Sequence, residues 1–320
     1  MKKRKLLLPV IAIMFSILFV QCSDDDDDTG TMDEKGTLAV KVTDAPSDDS
    51  NIQGTFVTVA DIKVDGESLE GFTKQTVEIS AYQNGNAKLI FNDEIEADSY
   101  NSLTLVLDYE SDASGNAPGC YVLTDDNMKH NLTASSSMDS EITLSKSFNV
   151  QSNSETALVV DFDLRRAVTR DDESAESDYM FVSKTELQSA VRVVKEDEAG
   201  EISGKVDALV ETGDETYVFL YHKGTFNAMS ETQGQGASNI LFANAVSSAK
   251  VESDGSYTLP FLEEGDYEVH VASYTESSVF STILQGLLNA SSTISGLFLN
   301  DVSVSSNTEL ELNIEVNGLM

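Results

Sequence analysis

The sequence has no tryptophan, two cysteines, three histidines and four prolines in 320 residues, and its 20 Lys and Arg stand against 55 Asp and Glu. A formal charge of −35 excludes a nucleic-acid partner. Such a polyanion must be met by clustered basic side chains that release its counterions, and here the field is repulsive. The histidines, His130, His222 and His270, fall in no H-x-x-x-H or H-E-x-x-H spacing, so the pattern argues against a His-based metal centre. The G-x-S-x-G, P-loop and G-x-G-x-x-G patterns are missing, which leaves serine hydrolase, NTPase and dinucleotide-binding readings without support. Without tryptophan the flat platforms of a typical glycan binder are reduced, although ten Tyr and fourteen Phe remain.

What is present begins with a cationic start, Lys2, Lys3, Arg4 and Lys5, followed by an apolar run over residues 6–20 interrupted at Pro9 and Ser16. About twenty apolar residues are needed to cross a bilayer, so this shorter run reads as the apolar region of a signal peptide. It predicts export. The run Leu18-Phe19-Val20-Gln21-Cys22 resembles the lipobox of bacterial lipoproteins, in which lipid is attached to the cysteine and the chain is cut ahead of it. That resemblance implies residues 1–21 as signal peptide and a palmitate-type anchor on Cys22.

Ser23 and the block Asp24, Asp25, Asp26, Asp27 and Asp28 cannot fold against their own repulsion, so residues 22–35 are expected to be a solvated tether. The same run resembles the surface-export signal of lipoproteins in Gram-negative gut commensals, which implies an outer-membrane, lipid-anchored, cell-surface location. Cleavage ahead of Cys22 leaves 16 basic against 55 acidic residues. A face so acidic suits a body held at an anionic membrane by lipid alone. Acylated Cys22 would leave Cys120 as the single remaining thiol, excluding an intrachain disulfide; Cys120, in a turn entering a strand, reads as a half-buried structural thiol.

From Gly36 onward the apolar period is mostly two. Leu38, Val40 and Val42 alternate with polar or small residues, as do Leu103, Leu105 and Leu107, and turn-forming pieces such as Asp65-Gly66 and Asn84-Gly85 separate the runs. The fold class is therefore all-β, two antiparallel β-sandwich domains in tandem. The first is expected over residues 36–195, the charged stretch 196–201 as linker, and the second over 202–320. Its last strand is the clearest, with Leu310, Leu312, Ile314 and Val316 on one face. One stretch breaks the pattern: Val279, Phe280, Ile283, Leu284, Leu287 and Leu288 fall on one side of a helix, a short helical insertion capping the second sandwich.

No catalytic residue stands out, because carboxylates are so frequent that pairs arise by chance. Asp44 with Asp48 and Asp49 beside Pro46, and Asp161 with Asp163 on one strand face, are the pairs to watch; Asp44, Asp161 and Asp163 are weak metal candidates. No twelve-residue Ca²⁺ loop accompanies them, so they read as turn or hydrogen-bonded aspartates and no cofactor is expected. His270, alternating with Val269 and Val271, is expected on the solvent side of its strand.

The motifs Gly36 to Pro46, residues 55–66 and Val159-Val-Asp-Phe-Asp-Leu-Arg-Arg166 together resemble the domain of unknown function 4382, a family of exported bacterial β-proteins; this implies a sandwich and export, without an activity. Asp254-Gly-Ser-Tyr-Thr-Leu-Pro260 and Leu262 to Val269 resemble the carboxypeptidase regulatory-like domain, a transthyretin-like sandwich appended to many surface proteins. In it Tyr257 and Leu259 point inward. The reading is a lipid-anchored binding, adhesion or scaffold protein without catalytic activity, partnered by the membrane through Cys22 and by an extracellular glycan or protein. The alternatives are a glycan-binding accessory lipoprotein and a carboxylate-dependent hydrolase, the latter requiring two carboxyls in one cleft.

Overall fold

The computed structural model describes residues 34–49, 51–133, 140–171, 178–208, 215–276 and 282–320. Cys22, Ser23 and Asp24 to Asp28, and with them the expected leader, anchor and tether, lie outside these residues. The first thirteen strands are β1 (Lys35–Ala45), β2 (Ile52–Val64), β3 (Glu67–Ser68), β4 (Gln75–Glu78), β5 (Lys88–Glu96), β6 (Ser99–Leu107), β7 (Tyr121–Thr124), β8 (Lys129–Asn131), β9 (Glu141–Asn149), β10 (Glu155–Asp163), β11 (Val168–Asp171), β12 (Asp178–Phe181) and β13 (Val191–Lys195). One sheet has the order β13-β10-β1-β5, a second runs β8-β7-β2-β6-β9 with β3 and β4 also paired to β2, and β11 and β12 pair as a two-stranded sheet.

The period-two runs do what their spacing dictates. Leu38, Val40 and Val42 of β1 and Leu158, Val160 and Phe162 of β10 meet Val57, Val59, Leu103, Leu105 and Ile142 of the opposing sheet in one core. At Asp65-Gly66 and Asn84-Gly85 both residues of each pair have positive φ, which a two-residue turn of this kind requires and which Asp, Asn and Gly tolerate. β1 and β10 run parallel, in register from Thr37 opposite Glu155 to Ala45 opposite Asp163, so the sandwich is mixed rather than wholly antiparallel.

The second set comprises β14 (Gly200–Ala208), β15 (Glu215–His222), β16 (Ser247–Lys250), β17 (Ser256–Leu262), β18 (Gly265–Glu276), β19 (Thr282–Ser292), β20 (Val302–Val304), β21 (Glu309–Glu311) and β22 (Ile314–Leu319). Their order is β16-β15-β18-β19-β22-β14-β17, with β20 on β18 and β21 on β14. β14 pairs in parallel with both β21 and β22. The run 308–316 is thus two short strands rather than one, yet its apolar face holds: Leu312, Ile314 and Val316 are fully buried. Tyr257 and Leu259 also point inward, and the Tyr257 hydroxyl donates to the Leu312 carbonyl at 2.7 Å.

Both faces of β15 are covered. Val218 and Leu220 enter the inter-sheet core, while Tyr217, Phe219 and Tyr221 join Phe242, Ala272 and Tyr274 in an aromatic cluster on the other side. The segment between β15 and β16, with helix α3 (Ala228–Glu231) capped by Asn227, lies over that cluster through Phe226, Leu241 and Phe242. The helix expected at residues 279–288 is not formed where the chain is described: from Thr282 on it is strand β19, while residues 277–281 lie outside the described residues. The reason is that the leucines of β19 divide between two apolar clusters. A register shift opposite Ser273 and Tyr274 lets Leu284 and Leu287 pack on the aromatic cluster while Leu288 enters the inter-sheet core. Apolar residues divided between two faces of a strand mimic a helical stripe, and Ile283, 57% exposed, belongs to neither cluster.

Candidate functional site

The outward face of β10 carries Val159, Asp161 and Asp163, opposite in parity to the core residues Leu158, Val160 and Phe162. On a free sandwich both carboxylates would be wet. Here Asp161 and Asp163 are only 6% and 7% exposed, because the second sandwich lies over this face. β10 ends at Asp163 and the chain makes one helical turn, α1 (Leu164–Ala167), which swings Arg165 and Arg166 toward the second sandwich.

Arg165 is 5% exposed. Its guanidinium lies 5.2 Å from the Phe219 ring centroid, and it donates to Asp163 Oδ2 at 3.0 Å, to the Phe242 carbonyl at 3.2 Å and to the Leu241 carbonyl. Arg166 donates to the Ala245 carbonyl at 3.1 Å and back to Ser189 at 2.7 Å. Arg192 sits directly across the ladder from Asp161, bonds it at 2.5 Å, and donates to the carbonyls of Phe261 at 2.5 Å and Pro260 at 3.2 Å. Three arginines of the first sandwich thus satisfy five backbone carbonyls of the second. Helix α2 (Lys184–Ala190), begun by a capping box between Ser183 and Glu186, adds a bond from Ser238 to Glu186 at 2.9 Å.

Electrostatics follows from this burial. Taking Arg165 out of water works against its charge, but Asp163 and Asp48 overcome that cost and hold its pKa above the ordinary value. Burial raises Asp161, although Arg192 opposes the rise. Asp44, at the end of β1, is raised well above the usual carboxylate range by burial and by the neighbouring charges of Asp161 and Asp163, while Gln83 donates to it at 2.9 Å. Burial lifts Asp48 to about 6, partly countered by Arg165.

Beside this charged layer, at the seam between the sandwiches, lies a cleft of about 230 Å³ whose walls include Asp48, Asp49, Arg165, Tyr179, Ile240 and Tyr274. Asp49 accepts from the Tyr179 hydroxyl at 3.2 Å and from the Asn51 backbone at 2.9 Å. The Tyr274 hydroxyl and Arg165 Nε are buried without a hydrogen-bond partner among the described residues.

The structure therefore brings Asp44, Asp161 and Asp163 together, but as parts of an ion-paired layer in which the latter two face arginines. Among the described residues no three His, Cys, Asp or Glu side chains converge in a way that could hold a metal ion. Asp48 and Asp49 instead face the cleft. Cys120 is fully buried rather than half-buried; its thiol accepts from Thr58 N and donates to the Asp108 carbonyl, both at 3.4 Å, and burial pushes its pKa up to about 12. His270 is not on a free solvent face: it stacks under Phe226 at 3.6 Å, and burial lowers its pKa. Arg192, Tyr179 and Tyr274 carried no sequence signal, because their partners are main-chain atoms or residues far along the chain.

Residues 35–182 match the family model described as "Domain of unknown function (DUF4382)", which takes in β1 to β12 and both motif arginines of α1. No curated protein matches the chain. Among solved structures, the chain is similar to the minor pilin GBS52 of Streptococcus agalactiae, with 10% identity over 88% of this chain and 97% of that one at a TM-score of 0.21. It is similar to the tip fimbrial protein Mfa3 of Porphyromonas gingivalis, with 10% identity over 88% and 98% at a TM-score of 0.22. Against the Bacillus anthracis TIE protein the identity is 10% and the TM-score 0.20, and the chain spans about a third of that protein's length, 89% of this chain against 34% of that one. TM-scores this low establish no shared fold or role.

Proposed function

We propose that the chain is an exported lipoprotein, anchored through Cys22 in the outer membrane and displayed at the cell surface, whose two sandwiches form a non-catalytic body for binding, adhesion or scaffolding. The second sandwich, residues 202–320 after the linker 196–201, is read as a carboxypeptidase regulatory-like domain. One observation carries the non-catalytic reading: the charges of the 159–166 motif, Asp161, Asp163, Arg165 and Arg166, together with Arg192, are engaged in holding one sandwich to the other rather than lining a reaction centre. Ion pairs of this kind, closed by carbonyl acceptors, favour one docking geometry over alternatives. A body with a fixed seam presents loops and strand edges at set positions, which suits recognition of a macromolecule.

Probing glycan and extracellular-protein arrays with the purified full chain tests the reading. Saturable capture of one partner class is expected, and turnover of any array substrate would contradict it. Metabolic lipid labelling of intact cells tests the anchor: Cys22→Ala is expected to abolish labelling, and unchanged labelling would remove the anchor from the account. Added protease is expected to digest the protein on intact cells. The competing hydrolase reading has a single observation in its favour, Asp48 at about 6 beside Asp49 in one cleft. It predicts hydrolysis of aryl glycosides that Asp48→Asn abolishes.

A further inference from the structure

We infer that the seam cleft binds one neutral polyhydroxylated unit, a single sugar residue of a glycan, through a mixed set of hydrogen-bond donors and acceptors backed by an apolar wall. The inference rests on the reading of the chain as a binding protein and gives that reading a site. Two groups at the cleft are left unsatisfied among the described residues. Tyr274, 1% exposed, and Arg165, 5% exposed, both border the cleft, and the Tyr274 hydroxyl and the Arg165 Nε–H have no partner among the described residues. Burying such groups unpaired is costly, so a native protein that keeps them has a use for them.

The neighbouring charges decide what chemistry would satisfy them. Asp48 and Asp49 repel a phosphate or carboxylate. Arg165, with Arg170 beside the Tyr179 ring, repels an ammonium or guanidinium and leaves the Nε–H unused in its presence. A hydroxyl both donates and accepts. Vicinal hydroxyls of a sugar would donate to the carboxylates and accept from Arg165 and Tyr274, while the ring's C–H face would lie on Tyr179 and Ile240. A volume of about 230 Å³ is below that of drug-sized sites and suits one ring rather than an extended chain. The closure of the cleft by residues of both sandwiches also gives the charged layer a purpose: a ligand touching Asp48 on one side and Tyr274 on the other reads the seam itself.

The test is titration of the isotope-labelled full chain with glucose, galactose, mannose, fucose and N-acetylglucosamine, and separately with inorganic phosphate and Nα-acetyl-lysine methylamide, followed by NMR. At least one sugar is expected to shift the resonances of Asp49, Tyr179 and Tyr274 saturably. Tyr274→Phe removes a hydroxyl that bonds nothing among the described residues, so it is expected to fold as wild type yet bind that sugar roughly 10-fold more weakly, the worth of one buried hydrogen bond. Asp48→Asn is expected to weaken it further. The inference is overturned if no sugar shifts the cleft, if phosphate or the lysine derivative does so instead, or if Tyr274→Phe binds as wild type. A positive array with a silent cleft would leave the binding reading standing and remove this site alone.

Discussion

Replacing Arg165 by Met keeps the length and apolar stem of the side chain and removes the guanidinium, so it isolates what that group does at the seam. Two backbone carbonyls, Leu241 and Phe242, lose a charged donor, and Asp163, 7% exposed, loses its closest counter-charge. A hydrogen bond to a charged group contributes about 1.5–3 kcal/mol and breaking one side of a buried ion pair costs about 3–5 kcal/mol. These overlap in one side chain, and Arg166, 3.8 Å from Asp163, offsets part of the lost charge, so the expected total is about 4 kcal/mol. Against a domain stability of about 5–15 kcal/mol that is a large fraction. At a urea slope of about 3 kcal/mol/M the unfolding midpoint should fall by roughly 1.3 M. Adding Asp163→Asn should restore part of the loss by removing the stranded carboxylate. A cost of Arg165→Met below about 1 kcal/mol, or an Asp163→Asn that adds its own full penalty to it, would refute the reasoning.

Other expectations follow from the same geometry. Burial raises the folded-state pKa of Asp48 from 3.8 to about 6, so the folded protein binds more protons than the unfolded chain between those values, and stability falls as pH rises through the window. Asp48→Asn should therefore match wild type near about pH 4 and exceed it near about pH 8 in urea unfolding; the reverse order would contradict the sign. Cys120 should resist a thiol reagent in the native protein and react only on unfolding, since its thiol is buried and its pKa stands at about 12. Gly204→Ala places a methyl 2.0 Å from the Leu312 carbonyl oxygen, where β14 passes closest to the chain between β21 and β22, and should lower the melting temperature by several degrees or prevent folding. Tyr257→Phe should cost about 1 kcal/mol in the same assay, the net worth of its bond to the Leu312 carbonyl.

Much of the fold was legible because period-two burial is a local signal. Leu38, Val40 and Val42, Leu103, Leu105 and Leu107, and Leu310 to Val316 all follow their alternation, and the Asp65-Gly66 and Asn84-Gly85 turns occupy the positive-φ positions their residues suit. Residues 283–288 were misleading because the leucines of β19 divide between two apolar clusters, Leu284 and Leu287 against one and Leu288 in the other, while Ile283 stays 57% exposed, so the run lacks the alternation of a half-buried strand. His270 fails the same rule in the other direction: its parity is outward, but Phe226, brought over from the segment after β15, covers that face.

The candidate site was half legible. Asp161 and Asp163 were picked out by their shared strand face, and Asp48 and Asp49 by their turn. The arginines opposite them stayed hidden as partners, because a main-chain carbonyl looks the same beneath every residue. Nothing in Leu241, Phe242, Ala245, Pro260 or Phe261 announces that its carbonyl accepts from a side chain some seventy residues away. Their role depends on how one sandwich docks on the other, which is a property of the packed surfaces.

The central claim is that the layer of Asp161, Asp163, Arg165, Arg166 and Arg192 locks the two sandwiches into one body. Residual dipolar couplings measured on the aligned protein test it most directly, because each rigid body reports its own alignment tensor. A single tensor is expected to fit the described residues within 34–195 and 200–320 together, and two separate tensors once Arg165 and Arg192 are both changed to Met. Two unrelated tensors in the unaltered protein would contradict it.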